Sequence, residues 1–110
     1  MRKFLASKVY KFSTEGLQIH THTVVTIDAE GLVCDVSSLS GEIERVEWLI
    51  GAILLLPASY LPQIEKWETW VQGKAGESVL PVVYYAYHIP AFDVEKNRPI
   101  DSAILRLGVK

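Results

Sequence analysis

The chain has 110 residues and a formal net charge of -2, with 49% hydrophobic and 22% charged residues. That length supports a single domain, residues 1–110, with a core of its own. The charge offers no basic footprint for nucleic acid or an anionic membrane surface, and one cysteine, Cys34, excludes an internal disulfide and a cysteine-rich metal site.

Residues 1–7 are basic and then apolar, but the apolar part is too short for a leader and Lys8 and Lys11 interrupt it. The apolar run 49–58 is about half of the ~18–20 residues that span a bilayer. A cytoplasmic protein without a membrane partner is the expectation.

Residues 3–12 carry Val9, Tyr10 and Phe12 and predict a first strand, closed by a turn at 13–16. Residues 17–27 (LQIHTHTVVTI) alternate. Leu17, Ile19, Thr21, Thr23, Val25 and Ile27 fall on one face, and Gln18, His20, His22, Val24 and Thr26 on the other, the pattern of a half-buried strand. Asp28-Ala29-Glu30-Gly31 predicts a hairpin turn, with glycine supplying positive φ. A return strand over 32–36 follows, with Cys34 expected as a small buried thiol. Residues 42–48 alternate again, and Gly51 separates them from the continuous apolar run 52–56, whose length favours a strand buried on both faces.

The period then changes. Tyr60, Leu61, Ile64, Trp67, Trp70 and Val71 follow helical spacing and predict one amphipathic helix over 60–72, with Ser59 as N-cap, Pro62 in the first turn and Gly73 just past the end. Residues 79–89 (VLPVVYYAYHI) give the strongest strand signal, and Pro81 suits an edge or a strand start. A turn at 95–99 leads to a last strand over 100–107, returning against 79–89. The sum is a mostly β (α+β) domain. It is read as a compact antiparallel β-sandwich-like fold with one amphipathic helix.

Residues 24–57, VVTIDAEGLVCDVSSLSGEIERVEWLIGAILLLP, resemble the small β-rich domain at the N-terminus of amidohydrolases, the metal-dependent hydrolases built on a (β/α)8 barrel. In that family, strand, Gly turn, strand and apolar run lead to Pro-Gly and a His-x-His metal motif. Here Pro57 is followed by Ala58-Ser59-Tyr60, and the motif does not follow. A barrel takes about 250 residues. The resemblance thus implies the accessory, composite domain without the catalytic barrel, its C-terminal strands supplied by 79–89 and 100–107.

His20-Thr21-His22 has a spacing that lets two imidazoles on one strand face share a zinc ion, with His88 as a third candidate ligand. The plain alternative places both histidines on a solvent face, and no metal or other cofactor is expected. Tyr84, Tyr85, Tyr87 and His88 form the second constellation. Tyr85 and Tyr87 share one face, Tyr84 and His88 the other, and one of these faces is a candidate binding or subunit interface. No nucleophile elbow or phosphate loop occurs. Three functions are carried forward. The first is a non-catalytic, self-associating (homodimeric) or protein-binding module. The second is a small-ligand-binding domain lined by Trp67, Trp70 and the tyrosines. The third is a metal-dependent hydrolase acting on C–N bonds.

Overall fold

A computed structural model describes residues 2–13, 16–38, 46–57, 67–71, 83–93, 95–101 and 103–108. These form strands β1 (Arg2–Ser13), β2 (Gly16–Ile27), β3 (Val33–Ser38), β4 (Val46–Trp48) and β5 (Ala52–Pro57), a helical turn α1 (Trp67–Val71), and strands β6 (Tyr84–Ile89), β7 (Phe92–Asp93), β8 (Arg98–Pro99) and β9 (Leu105–Arg106). The fold is mostly β, as expected. Of the expected helix 60–72, only α1 falls among the described residues. Residues 42–45, 79–82, Ser59, Pro62 and Gly73 lie outside them.

One sheet runs in the order β3-β2-β1-β5-β6-β9, with β4 on β1 as well. Sequence neighbours pair antiparallel: β1 with β2, β2 with β3, β5 with β6. The sheet is nevertheless mixed, because β1 pairs in parallel with β4 through Lys3–Val46 and with β5 through Lys8–Ala52. Parallel pairing needs a long crossover, here the chain that passes through β2 and β3. The sheet also curls. Leu32, just before β3, bridges Tyr85 on β6, and the Leu107 N–H donates to the Ala86 carbonyl at 2.9 Å.

Both faces of the sheet are apolar. Phe4, Ala6 and Val9 of β1, Val25 and Ile27 of β2, Ile53 and Leu55 of β5, Ala86 and Leu107 form the cluster inside the curl. Tyr10, Phe12, Ala52, Leu54, Leu56, Tyr87 and Ile89 form the outer cluster, covered by Trp67 from α1 and Phe92 from β7. All six β5 residues are buried, the two-faced strand that the run 52–56 predicts.

Strict alternation fails at two places. Directly paired residues share a face, and Ala6↔Thr23 and Val9↔His20 both belong to the inner side. The face therefore switches between Ala6 and Val9 on β1, and between His20 and Thr23 on β2. His22 absorbs the switch with φ +49°, and the Thr23 hydroxyl donates to the Thr21 carbonyl at 3.0 Å beside it. On β3 the register moves from Thr26↔Asp35 to Ile27↔Val33, so Cys34 is an extra, bulged residue. That corrects the buried-thiol expectation. Cys34 is exposed, with Sγ 3.5 Å from the Thr26 carbonyl oxygen.

Between β4 and β5 the pairing with β1 gains one residue, since 46 − 3 is 43 and 52 − 8 is 44. The extra residue sits in the bend Leu49–Gly51. Gly51 has φ +97°, and a Cβ there would collide with the carbonyl oxygens of Ile89 and Pro90. Only glycine allows this backbone conformation and this approach. Gly51→Ala is expected to cost about 2–5 kcal/mol, the sum of a left-handed penalty and overpacking against backbone. Chemical denaturation checks it, and an unchanged midpoint would mean that the bend relaxes freely.

Candidate functional site

The histidines are not brought together. His22 is exposed and carries the left-handed backbone. His20 is half-buried on the inner side, and its Nε2 is buried without a hydrogen-bond partner. The two therefore do not share a plain strand face, which corrects the geometry that their spacing predicts. His88 shares a row with His20 across the sheet, His20–Val9–Ile53–His88, with two strands between them. Its Nε2 lies 2.6 Å from the Ile50 carbonyl oxygen, so that nitrogen fastens the β4–β5 bend. Among the described residues no group of three or more His, Cys, Asp or Glu side chains could hold a metal ion.

The tyrosines occupy the faces that alternation assigns them. Tyr85 and Tyr87 pack with the outer cluster, while Tyr84 touches both clusters at the strand end. Each is used within the chain. The Tyr84 hydroxyl donates to the Phe12 carbonyl at 3.0 Å, and Lys11 Nζ stands 5.1 Å from its ring centroid. The Arg106 guanidinium stacks 3.6 Å over Tyr85, a close cation–π contact. Arg106 also donates to the Glu30 carbonyl at 3.5 Å, so this stack ties β9 to the turn before β3. Tyr87 is only 5% exposed.

One constellation has no counterpart in the sequence reading. Tyr10, Trp67 and Phe92 meet with ring centroids 5.1–5.5 Å apart. Asn97 binds two of them at once. Its Oδ1 accepts from the Tyr10 hydroxyl at 2.9 Å, and its carbonyl accepts from Trp67 Nε1 at 3.1 Å. Asn97 adopts φ +52°, and Asp93 Oδ1 accepts from the N–H groups of Glu95 and Lys96 at 3.0 and 3.1 Å. The β7–β8 hairpin is thus clamped over the outer cluster. The turn 95–99 was visible in the sequence; its aromatic receptor was not, because Tyr10, Trp67 and Asn97 are far apart along the chain. An open depression of about 270 Å³ lies beside the hairpin, lined by Asp93, Lys96, Arg98, Pro99 and Ile100.

The surface also exposes large apolar side chains beside the β4–β5 bend. Trp48 is 67% exposed, Ile50 86% and Leu105 58%. Ile50 and Leu105 flank His88, the first through its carbonyl and the second as the strand partner of His88. Single exposed apolar residues are ordinary; here Trp48 and Ile50 stand two residues apart at the bend, and Leu105 lies opposite His88 on the neighbouring strand. No helix among the described residues is long and apolar enough to cross a membrane. No protein family, no curated protein and no solved structure matches this chain.

Burial pushes the phenols of Tyr10, Tyr84 and Tyr87 above their ordinary value. For Tyr87 the Arg106 charge opposes burial and Tyr85 adds to it. A folded pKa above the unfolded one means that the native state holds the proton longer. The stability tied to these phenols is therefore complete below the unfolded value of about 10 and is lost as pH rises through the folded values. The denaturation midpoint is expected to hold between about pH 8 and 9 and to fall above about pH 10. A Tyr87→Phe variant should fall less steeply. A midpoint that rises with pH in that window would contradict the burial of these rings.

Proposed function

We propose that this chain is a non-catalytic module that associates with itself or docks a protein, similar to the accessory composite domain of amidohydrolases and working in the cytoplasm. The observation that carries this reading is the exposed apolar side chains Trp48 and Ile50 at the β4–β5 bend, with Leu105 opposite His88 nearby on β9. Water-exposed aromatic and aliphatic surface of this kind is removed most simply by association. Apolar layers on both sides of the sheet support the sandwich-like part of the reading, and α1 is the described part of the amphipathic helix expected over 60–72.

The interface centres on the β4–β5 bend and reaches the tyrosine strand through His88. Tyr85, stacked under Arg106, and Tyr84, bonded to Phe12, lie at the far end of β6, opposite Leu56 and Pro57. Tyr87 belongs to the outer core. A second reading, binding of a small anionic ligand, draws on the depression beside Lys96 and Arg98, although Arg98 already faces Glu68 at 3.8 Å. Trp67, which the helical stripe places in the core and only the ligand-binding reading would make a pocket wall, is buried against Tyr10 and Phe92.

Light scattering of the purified chain separates these readings. Self-association predicts a mass above the 12.3 kDa of one chain that grows with concentration. A constant 12.3 kDa would contradict self-association and shift weight to a foreign partner or a small ligand. Elemental analysis tests the hydrolase reading: one tightly held zinc per chain, lost in His20→Ala, would overturn the non-catalytic assignment.

A further inference from the structure

We infer that β4 is the pairing edge of a symmetric homodimer, in which a second copy lays its own β4 antiparallel against the first about a two-fold axis through Glu47. This rests on the self-association reading and names its surface.

Among the described residues the outer edge of β4 is open. Strand β6 covers the outer side of β5 only as far as Ile89, opposite Ala52. There the chain turns away through Pro90, packed against Gly51. Among the described residues β4 therefore has β1 as its single strand partner. An unpaired edge that also presents Trp48 and the following Ile50 to solvent is a template for another strand.

The side chains of β4 suit a copy of the same strand. Antiparallel pairing about Glu47 sets Val46 opposite the partner's Trp48, twice by symmetry, giving two apolar cross-strand pairs on one face. It also sets Glu47 opposite the partner's Glu47, and like charges in that position repel. Arg2 answers this. Its Nε and Nη2 donate to the two Glu47 carboxylate oxygens at 3.1 and 2.9 Å, a bidentate pair with both side chains about half exposed. Each copy thus brings its own counter-ion to the axis, and the meeting line carries two cations and two anions. A foreign partner would need no such self-neutral centre; a second copy does. With three strand residues a side, the contact is small, so a dilution-sensitive dimer is expected.

Sedimentation over a concentration series tests this with three variants. Trp48 and Glu47 are exposed, so substitutions there should keep the fold, and the denaturation midpoint verifies that. Trp48→Asp and Glu47→Arg are each expected to weaken dimerisation about tenfold or more, the scale of two lost cross-strand pairs or of unbalanced cations at the axis. The exchange Arg2→Glu with Glu47→Arg restores the neutral centre and should restore the dimer. A wild-type chain that stays at 12.3 kDa overturns both this assignment and self-association. A wild-type dimer that persists unchanged in Trp48→Asp and Glu47→Arg overturns the β4 edge alone. If Glu47→Arg proves unstable, Trp48→Asp carries the comparison.

Discussion

Everything in this fold hangs on the burial of β5 from both sides. Ala52, Leu54 and Leu56 enter the outer cluster, and Ile53 and Leu55 enter the inner one. The strand pairs with β1 along one edge over Ala52–Leu55 and with β6 along its whole length on the other, and all six of its residues are buried. Fully burying one such aliphatic side chain is worth about 1.5–3 kcal/mol. A strand of six buried residues therefore outweighs any single polar contact in the molecule. The two apolar layers are also one structural unit, because they share this backbone.

The polar contacts serve to hold other elements against that strand. Gly51 and the His88–Ile50 contact shape the bend that admits β5 between β1 and β6. Asn97 clamps the β7–β8 hairpin over Tyr10 and Trp67, sealing the outer layer. Arg106, stacked on Tyr85 and bonded to Glu30, ties the last strand to the start of β3 and helps close the curl around the inner layer. Gly51 and the left-handed His22 and Asn97 serve bends and bulges, and among the described residues β4 is short, pairs with β1 and carries the exposed Trp48. On the proposed reading, function follows from the apolar surface that these elements leave exposed.

Much of the fold was legible in the sequence because it is local. The hairpin turn at Asp28 has the expected form, with Asp28 Oδ1 accepting from Glu30 and Leu32 and Gly31 at φ +84°. The run 52–56 announced a two-faced strand, and the alternation of 84–89 assigned its tyrosines to the correct sides. What escaped was long-range. Nothing in 3–12 indicates parallel pairing with residues about forty positions later, since the pairing code lies in the shared burial of both strands. His20 and His22 looked like neighbours on one face because period 2 assumes an unbroken strand, and the left-handed His22 breaks it. Cys34 looked buried for the same reason, before the bulge turned it outward. Alternation assigns the tyrosines their faces but not their partners, because Phe12 and Arg106, which bond and stack on Tyr84 and Tyr85, come from distant strands. Trp48, which carries the proposed contact, looked like an ordinary member of an alternating strand.

The most direct test of the account is a comparison of Leu54→Ala with Leu55→Ala, adjacent residues that point into different layers. If β5 is the common support of both, each variant should lose about 2–5 kcal/mol and each should still unfold in one transition. A variant of either residue that unfolds at the wild-type midpoint, or a pair that separates into two transitions, would show that the layers are independent and that β5 does not hold them together.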